Sequence, residues 1–120
     1  MLLWSPGDDD NPLHPGDNRK ARQVIDGAEG LPLFACPTHS LQQLMAALEV
    51  TDGIICSDGG AMHLAAGLGK PIVCLFGRSD PRIWRPWGVP HVVLQPPSRE
   101  ATDIAVADVV AAYCTLDVTS

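Results

Sequence analysis

The chain has 120 residues, 46% of them hydrophobic, and 14 acidic residues against eight basic ones give it a formal net charge of -6. This length suits one domain with a core of ordinary size, so we expect a single domain over residues 1–120. The acidic balance and the lack of a basic cluster argue against nucleic acid as a partner. No apolar run approaches the roughly eighteen residues of a membrane span, and the first residues lack the charged flank of a signal peptide. We therefore expect a soluble, cytosolic protein.

The amino-terminal segment predicts a buried strand over residues 2–5, followed by a loop over residues 8–17 that is rich in acid, proline and glycine. Consecutive carboxylates at Asp8, Asp9 and Asp10 hint at a divalent metal ion. Adjacent side chains do not all point at one ion, however, and a charge run is usually a solvated face. We favour the solvated loop and predict no metal site. Asp17 is placed to cap a helix over residues 18–26.

A second strand and a second helix follow. The apolar run over residues 31–36 predicts a short strand, and Ser40 is a candidate cap for a helix over residues 41–49. That helix repeats apolar residues at helical spacing, which predicts a buried face. The residues of this face are Leu41, Leu44, Met45 and Leu48.

The middle of the chain predicts a strand over residues 53–56, a glycine turn over 57–60, a helix over 61–68 and a strand over 72–76. In such a βαβ unit the helix begins at the carboxyl end of the first strand. Its first amides have no partner within the helix and carry the positive end of the helix dipole. That geometry suits a phosphate group.

The residue types in the turn agree with an anion site. Asp58 is a candidate N-cap, while Gly59 and Gly60 have no Cβ and let an oxygen anion approach the main chain. We predict that the amides around Gly59, Gly60 and Ala61, with the imidazole of His63, hold a diphosphate. The alternative is that the glycines allow close packing, Asp58 is only a cap and His63 packs under the next strand. A short glycine motif by itself does not decide between them.

The carboxyl-terminal part predicts a loop over residues 77–88, a strand over 92–94 and a helix over 102–114. The loop is either a contact surface for a sugar, a phosphate or another lobe, or a segment pinned by its own aromatic rings. The helix is expected to bury Ile104, Val106, Val109, Val110 and Tyr113. The residues that make the loop unusual are Arg78, Arg82, Trp84, Arg85 and Trp87.

The four cysteines, Cys36, Cys56, Cys74 and Cys114, are widely spaced in apolar segments, with no CxxC motif. This arrangement indicates reduced core residues rather than a zinc site or a disulfide framework.

The stretch over residues 57–88 carries a set of residues at fixed spacing: Asp58, Gly60, His63, Leu64, Ala65, Ala66, Pro71, Phe76, Gly77, Asp80, Pro81, Pro86 and Gly88. This pattern resembles the nucleotide-sugar motif of the heptosyltransferase family, glycosyltransferase family nine. There are two departures from the pattern: Gly59 stands where the family has a hydroxyl, and Arg78 and Ser79 stand where proline and threonine are usual. The first departure removes a side chain that could donate a hydrogen bond to phosphate. Arg78 adds a positive charge at the edge of the sheet that carries the glycine turn.

The resemblance implies the Rossmann-like C-terminal half of a GT-B glycosyltransferase. The expected fold is α/β, an open and mostly parallel sheet with helices on both faces, as the alternating elements also indicate. The acceptor-binding lobe, with its acidic general base, would lie upstream, so we assign no catalytic residue within the chain. We expect these residues alone to bind nucleotide weakly and to show no turnover.

The resemblance also implies transfer of a heptose-like sugar from an ADP-heptose-like donor to an acceptor of the lipopolysaccharide core. The acceptor would be a saccharide or a lipid-linked saccharide, met at the inner face of a bacterial membrane, and no cofactor is expected. His39 either stacks on a purine or is an exposed residue without a role. Either Asp8 or Asp17 would contact the ribose or the donor sugar, and the sequence does not decide between them. The implied nucleotide or sugar contacts are Asp8, Asp17, Thr38, His39, Ser40 and Arg78.

Two other functions are compatible with the same motif: a non-catalytic nucleotide-binding or assembly module, and a GT-B-like sugar-nucleotide epimerase. The opening strand of the family's C-terminal lobe is not evident in the sequence, and its loss would expose a sheet edge. Pairing of two copies into a homodimer is therefore a further expectation.

Overall fold

The computed structural model describes residues 1–116. They fall into two compact units, Met1–Ala47 and a second unit that begins at Leu48. Every strand pairing is parallel, and helices separate the strands along the chain, so the predicted α/β class is confirmed. The elements are β1 (Leu2–Trp4), α1 (Asn18–Gly27), β2 (Ala35–Pro37), α2 (Leu41–Glu49), β3 (Ile54–Ser57), α3 (Gly60–Gly67), β4 (Ile72–Leu75), α4 (Pro81–Trp84), β5 (His91–Leu94) and α5 (Val106–Thr115).

In the first unit, β1 and β2 form a two-stranded parallel sheet in which Leu2 pairs with Ala35 and Trp4 with Pro37. The predicted strand over residues 31–36 is wrong over most of its length. The chain turns there instead, because the amide of Leu33 donates to the carbonyl of Leu31 at 2.8 Å. As a result Leu31 and Phe34 are exposed rather than buried.

The acidic loop between β1 and α1 is closed at its base by two glycines. A Cβ atom on Gly16 would lie 2.4 Å from the Cα of Gly7, so only glycine fits at this crossing. Gly7 also has a φ of +133°, which L residues rarely adopt. The amide of Gly16 donates to the carbonyl of Asp8 at 3.0 Å, and that of Asp17 to Ser5 at 2.9 Å. The loop therefore returns to the point where it leaves β1.

The second unit contains a three-stranded parallel sheet in the order β3-β4-β5. Three consecutive residues of the central strand, Ile72, Val73 and Cys74, are fully buried. Because successive strand residues point to opposite faces, both faces of β4 are covered. Helix α3 packs against β3 and β4, and α5 packs against β4 and β5. In this unit the predicted covering of both sheet faces is confirmed.

The predicted helix over residues 102–114 is broken into two parts. A 3-10 turn covers Ala101–Asp103, and Ala105 is extended (φ -70°, ψ 138°) before α5 begins. Two residues expected in the core, Val106 and Val110, are exposed, and Ala112 is buried instead. Within residues 1–116, no helix is both long and apolar enough to cross a bilayer.

Two further expectations about burial need correction. On α2, Leu48 is buried as predicted, but Leu41 and Met45 are exposed. All four cysteines are free, yet only Cys74 is fully buried, and Cys114 lies on the surface. Helical spacing identifies a candidate face, while the neighbouring elements determine how much of that face is covered.

Candidate functional site

The turn between β3 and α3 differs from the prediction at its cap. The N-cap of α3 is Gly59, so the prediction that Asp58 caps the helix is wrong. The reason is that β3 runs to Ser57 and the amide of the next residue, Asp58, still bonds to β4, donating to the carbonyl of Leu75 at 3.2 Å. Gly59 has φ 156° and ψ -172°, a backbone region that is essentially restricted to glycine.

The start of α3 is open. With glycine at the N-cap, no side chain of the cap residue occupies the first turn. Gly59, Gly60 and Ala61 are exposed, and a Cβ atom built on either glycine meets nothing within 4 Å. The first amides of a helix have no intrahelical partner and carry the positive end of its dipole. The turn is thus an exposed and uncrowded helix start, which suits an anion.

His63 lies one turn into α3, where its amide contacts the carbonyl of Gly59 at 3.4 Å. Its side chain is exposed, so the alternative in which His63 packs under the next strand is wrong. The imidazole instead lies beside the indole of Trp84, with ring centroids 6.4 Å apart and planes at 62°. The sequence singled out both residues, but nothing in the local pattern links positions 63 and 84.

The loop after β4 is held by a cap and a buried proline. Asp80 caps α4 by accepting from the amide of Arg82 at 2.9 Å, and the Arg82 guanidinium lies 2.9 Å from the other carboxylate oxygen. These hydrogen bonds from Arg82 lower the pKa of Asp80. Pro86 is fully buried, whereas Trp84 is 52% and Trp87 83% exposed. The loop is therefore pinned by proline, and its tryptophans remain largely accessible.

Arg78 lies at the carboxyl end of β4 and forms an ion pair that the sequence did not predict. Its Nη2 atom lies 2.7 Å from Oε1 of Glu100, and both side chains are exposed. The side-chain amide of Gln95 fixes the backbone on either side of Arg78 by donating to Gly77 at 2.7 Å and Ser79 at 3.0 Å. Arg78 is at the predicted edge of the sheet, but its positive charge is already paired with the carboxylate of Glu100.

In the first unit, the predicted contacts lie at the carboxyl ends of β1 and β2. Thr38 follows β2 and is tied to β1, because its amide and its hydroxyl both donate to the carbonyl of Trp4, at 2.9 and 3.2 Å. Ser40 caps α2 as predicted, accepting from the amide of Gln43 at 3.2 Å. His39 lies between them and is exposed.

The acidic residues of this unit have separate surroundings. Asp17 stands at the N-cap of α1 without a side-chain cap hydrogen bond, 3.7 Å from the ammonium of Lys20. Asp9 forms an ion pair with Arg19, and Asp8 is exposed. Across residues 1–116, no three His, Cys, Asp or Glu side chains converge in a way that would hold a metal ion.

Comparison with known proteins gives a family and a similar fold. The family model for glycosyltransferase family 9 (heptosyltransferase) matches residues 1–110. The structure is similar to the crystal structure of the glycosyl transferase family 9 from Veillonella parvula DSM 2008, with a TM-score of 0.74 and 24% sequence identity. The match covers 82% of this chain and 33% of that one, so the chain spans about a third of the length of this relative. At that identity the likeness shows the fold. A search of curated proteins gave no match.

Proposed function

Because the chain belongs to glycosyltransferase family 9, we propose that it binds a nucleotide-diphosphate sugar and takes part in transferring the sugar to a saccharide acceptor. The observation that carries the proposal is the open start of α3. There, Gly59 and Gly60 are exposed, and a Cβ atom built on either one meets nothing within 4 Å.

In this proposal the turn stabilises the negative charge of the departing diphosphate. When the bond between the sugar and the diphosphate breaks, negative charge grows on the departing phosphate oxygens. Amides that are already oriented toward that charge stabilise it without reorganising, and the helix dipole adds positive potential. In this proposal Gly59, Gly60 and Ala61 supply the amides and His63 a further hydrogen bond. Asp58 contributes through the geometry of the turn, since its carboxylate would repel the ligand.

The finer assignment follows the description of the family as heptosyltransferases. We propose an ADP-heptose-like donor and a lipopolysaccharide-core acceptor, met at the cytoplasmic face of a bacterial membrane by peripheral association. The base that deprotonates the acceptor is assigned to a second lobe, outside these 120 residues. Homodimer formation is part of the proposal too, and light scattering would test it.

Contacts to the nucleoside or the sugar are proposed for a second set of residues. Asp8 and His39 are exposed, whereas the hydroxyls of Thr38 and Ser40 already make hydrogen bonds within the protein. Asp17 and Arg78 would have to exchange their contacts with Lys20 and Glu100 for the ligand. These assignments rest on the family resemblance.

Calorimetric titration of the chain with ADP, UDP and GDP tests the proposal. We expect ADP to bind and His63→Ala to weaken it about tenfold, which is the low end of the effect of a hydrogen bond to a charged group. His14→Ala is the matched control, because His14 is an exposed loop histidine that is not among the proposed contacts. Absence of binding by all three nucleotides would overturn the proposal in favour of an assembly module. A preference for UDP would favour an epimerase or a different transferase.

A further inference from the structure

We infer that Trp84 is a positioning residue that holds the imidazole of His63 ready for the diphosphate, an inference that rests on the proposed function. The observation is the contact between the two rings, whose centroids lie 6.4 Å apart with planes inclined at 62°. This is the edge-to-face arrangement that aromatic pairs prefer. It joins α3, where the proposed anion site begins, to the loop that follows β4.

The backbone holds Trp84 from both sides. Its amide donates to the carbonyl of Asp80 at 3.1 Å, while the side chain of Asp80 caps the same short helix. The amide of Arg85 donates to Pro81 at 3.0 Å, and the next residue, Pro86, is fully buried. Since both flanks are fixed, the backbone holds Trp84 where its indole meets the imidazole of His63.

The contact with Trp84 restricts the rotamers of the His63 side chain before a ligand binds. His63 is exposed on α3, and an exposed side chain loses rotamer freedom when a ligand fixes it. A ring that already restricts the imidazole removes part of that cost before the ligand arrives, which is how preorganisation increases affinity. Aromatic pairs contribute enough for a roughly two- to tenfold effect on an equilibrium constant. We expect an effect of that size on diphosphate affinity.

Trp87 provides a matched control within the same loop. It is three residues from Trp84 and 83% exposed. Among residues 1–116, the only aromatic contact of a tryptophan ring is the one between Trp84 and His63. Trp87→Leu removes a tryptophan ring from the same loop, as Trp84→Leu does, but leaves the ring contact with His63 in place.

The test is a titration of the chain with inorganic pyrophosphate. Trp84→Leu should weaken binding roughly two- to tenfold, Trp84→Phe should recover most of the loss, and Trp87→Leu should have no effect. In a His63→Ala background, Trp84→Leu should cause no further loss, because Trp84 acts only through that imidazole. Unchanged affinity in Trp84→Leu, or an equal loss with and without His63, would overturn the inference.

A nuclear magnetic resonance spectrum of the histidine rings tests the ring contact directly, apart from any effect of Trp84 on the stability of the fold. The ring protons of His63 should carry a ring-current shift that disappears in Trp84→Leu and persists in Trp87→Leu, with circular dichroism unchanged. If wild-type chain does not bind pyrophosphate, or binds it equally without His63, the proposed function fails and takes this inference with it. Binding that depends on His63 but not on Trp84 overturns only the role of Trp84.

Discussion

Cys56 and Cys74 lie opposite each other at the same register position of the parallel strands β3 and β4. Burial, with the negative charge of Asp58 adding to it, raises the pKa of Cys56 to about 11. Burial, followed by the influence of Cys56 and Asp58, raises the pKa of Cys74 to about 12. Both thiols therefore stay protonated where an ordinary thiol would ionise.

This pair predicts a loss of stability in alkali. A thiol in the unfolded chain has an ordinary pKa of 9.0, so above that pH the unfolded state binds fewer protons than the folded one. The free energy of unfolding then falls as pH rises, until the folded thiols ionise. We expect the urea midpoint of the wild type to decline between about pH 9 and about pH 11 more steeply than that of Cys56→Ala/Cys74→Ala. Parallel declines in the two proteins would contradict this explanation.

The cysteines should also differ in reactivity toward iodoacetamide. Cys114 is exposed and Cys74 is fully buried, and a thiolate that cannot form or be reached does not react. Mass spectrometry of the native chain should show Cys114 labelled first and Cys74 only after denaturant is added. In Cys114→Ser the fast phase should vanish. Rapid labelling of Cys74 in the native state would count against the burial of β4.

Adjacent glycines in the turn before α3 should respond in opposite ways to alanine. Gly59→Ala introduces a Cβ where φ is 156°, and should reduce the free energy of unfolding by about 1–3 kcal/mol. Gly60→Ala, with open space around its Cβ and a helical backbone, should increase it by about 0.5–1 kcal/mol. Urea denaturation measures both. Equal effects would mean that the strained conformation is not maintained in solution.

Two phenylalanines test where the core lies. Phe76 is fully buried at the end of β4, whereas Phe34 is 69% exposed. Phe76→Ala should cost about 3–5 kcal/mol of unfolding free energy, because it removes buried apolar surface and leaves a cavity. Phe34→Ala should change the free energy by no more than about 0.5 kcal/mol. A large loss in Phe34→Ala would show that the segment before β2 is buried in solution.

Acid should reduce the contribution of Asp80. Hydrogen bonds from Arg82 lower the folded pKa of Asp80, so its stabilisation is present above the unfolded pKa and is lost as pH falls through the folded value. Asp80→Ala should therefore be less stable than wild type at neutral pH, with the difference shrinking in acid. Asp52→Ala, at an exposed aspartate elsewhere in the same unit, is the control. A difference between wild type and Asp80→Ala that does not change with pH would contradict the capping role.

The elements that could be predicted from sequence are those whose ends are marked by local signals such as glycines and capping residues. The glycines and charged residues between β3 and β4 mark where a strand stops and a helix starts, and the bounds of α2 match the prediction. Apolar runs were less informative. Leu31 and Phe34 look like strand residues but lie in a turn, since no local signal tells whether an apolar run has a partner to cover it.

Contacts between distant positions account for the rest. The identity of the cap depended on where the hydrogen bonds between β3 and β4 end, because the bond from the amide of Asp58 to Leu75 ties Asp58 to β4 and leaves Gly59 as the N-cap of the helix. Likewise, the ring contact of His63 with Trp84 and the ion pair of Arg78 with Glu100 bridge more than twenty residues each. Spacing within a helix or strand carries no information about them.

The crossing of Gly7 and Gly16 has a practical consequence for engineering. Because the two glycines and the hydrogen bonds beside them fasten the ends of the acidic loop, additional sequence placed at its tip would extend outward without pulling on β1 or α1. An epitope or fluorophore acceptor peptide inserted between Asp10 and Asn11 offers a way to immobilise or track this protein while its fold stays intact.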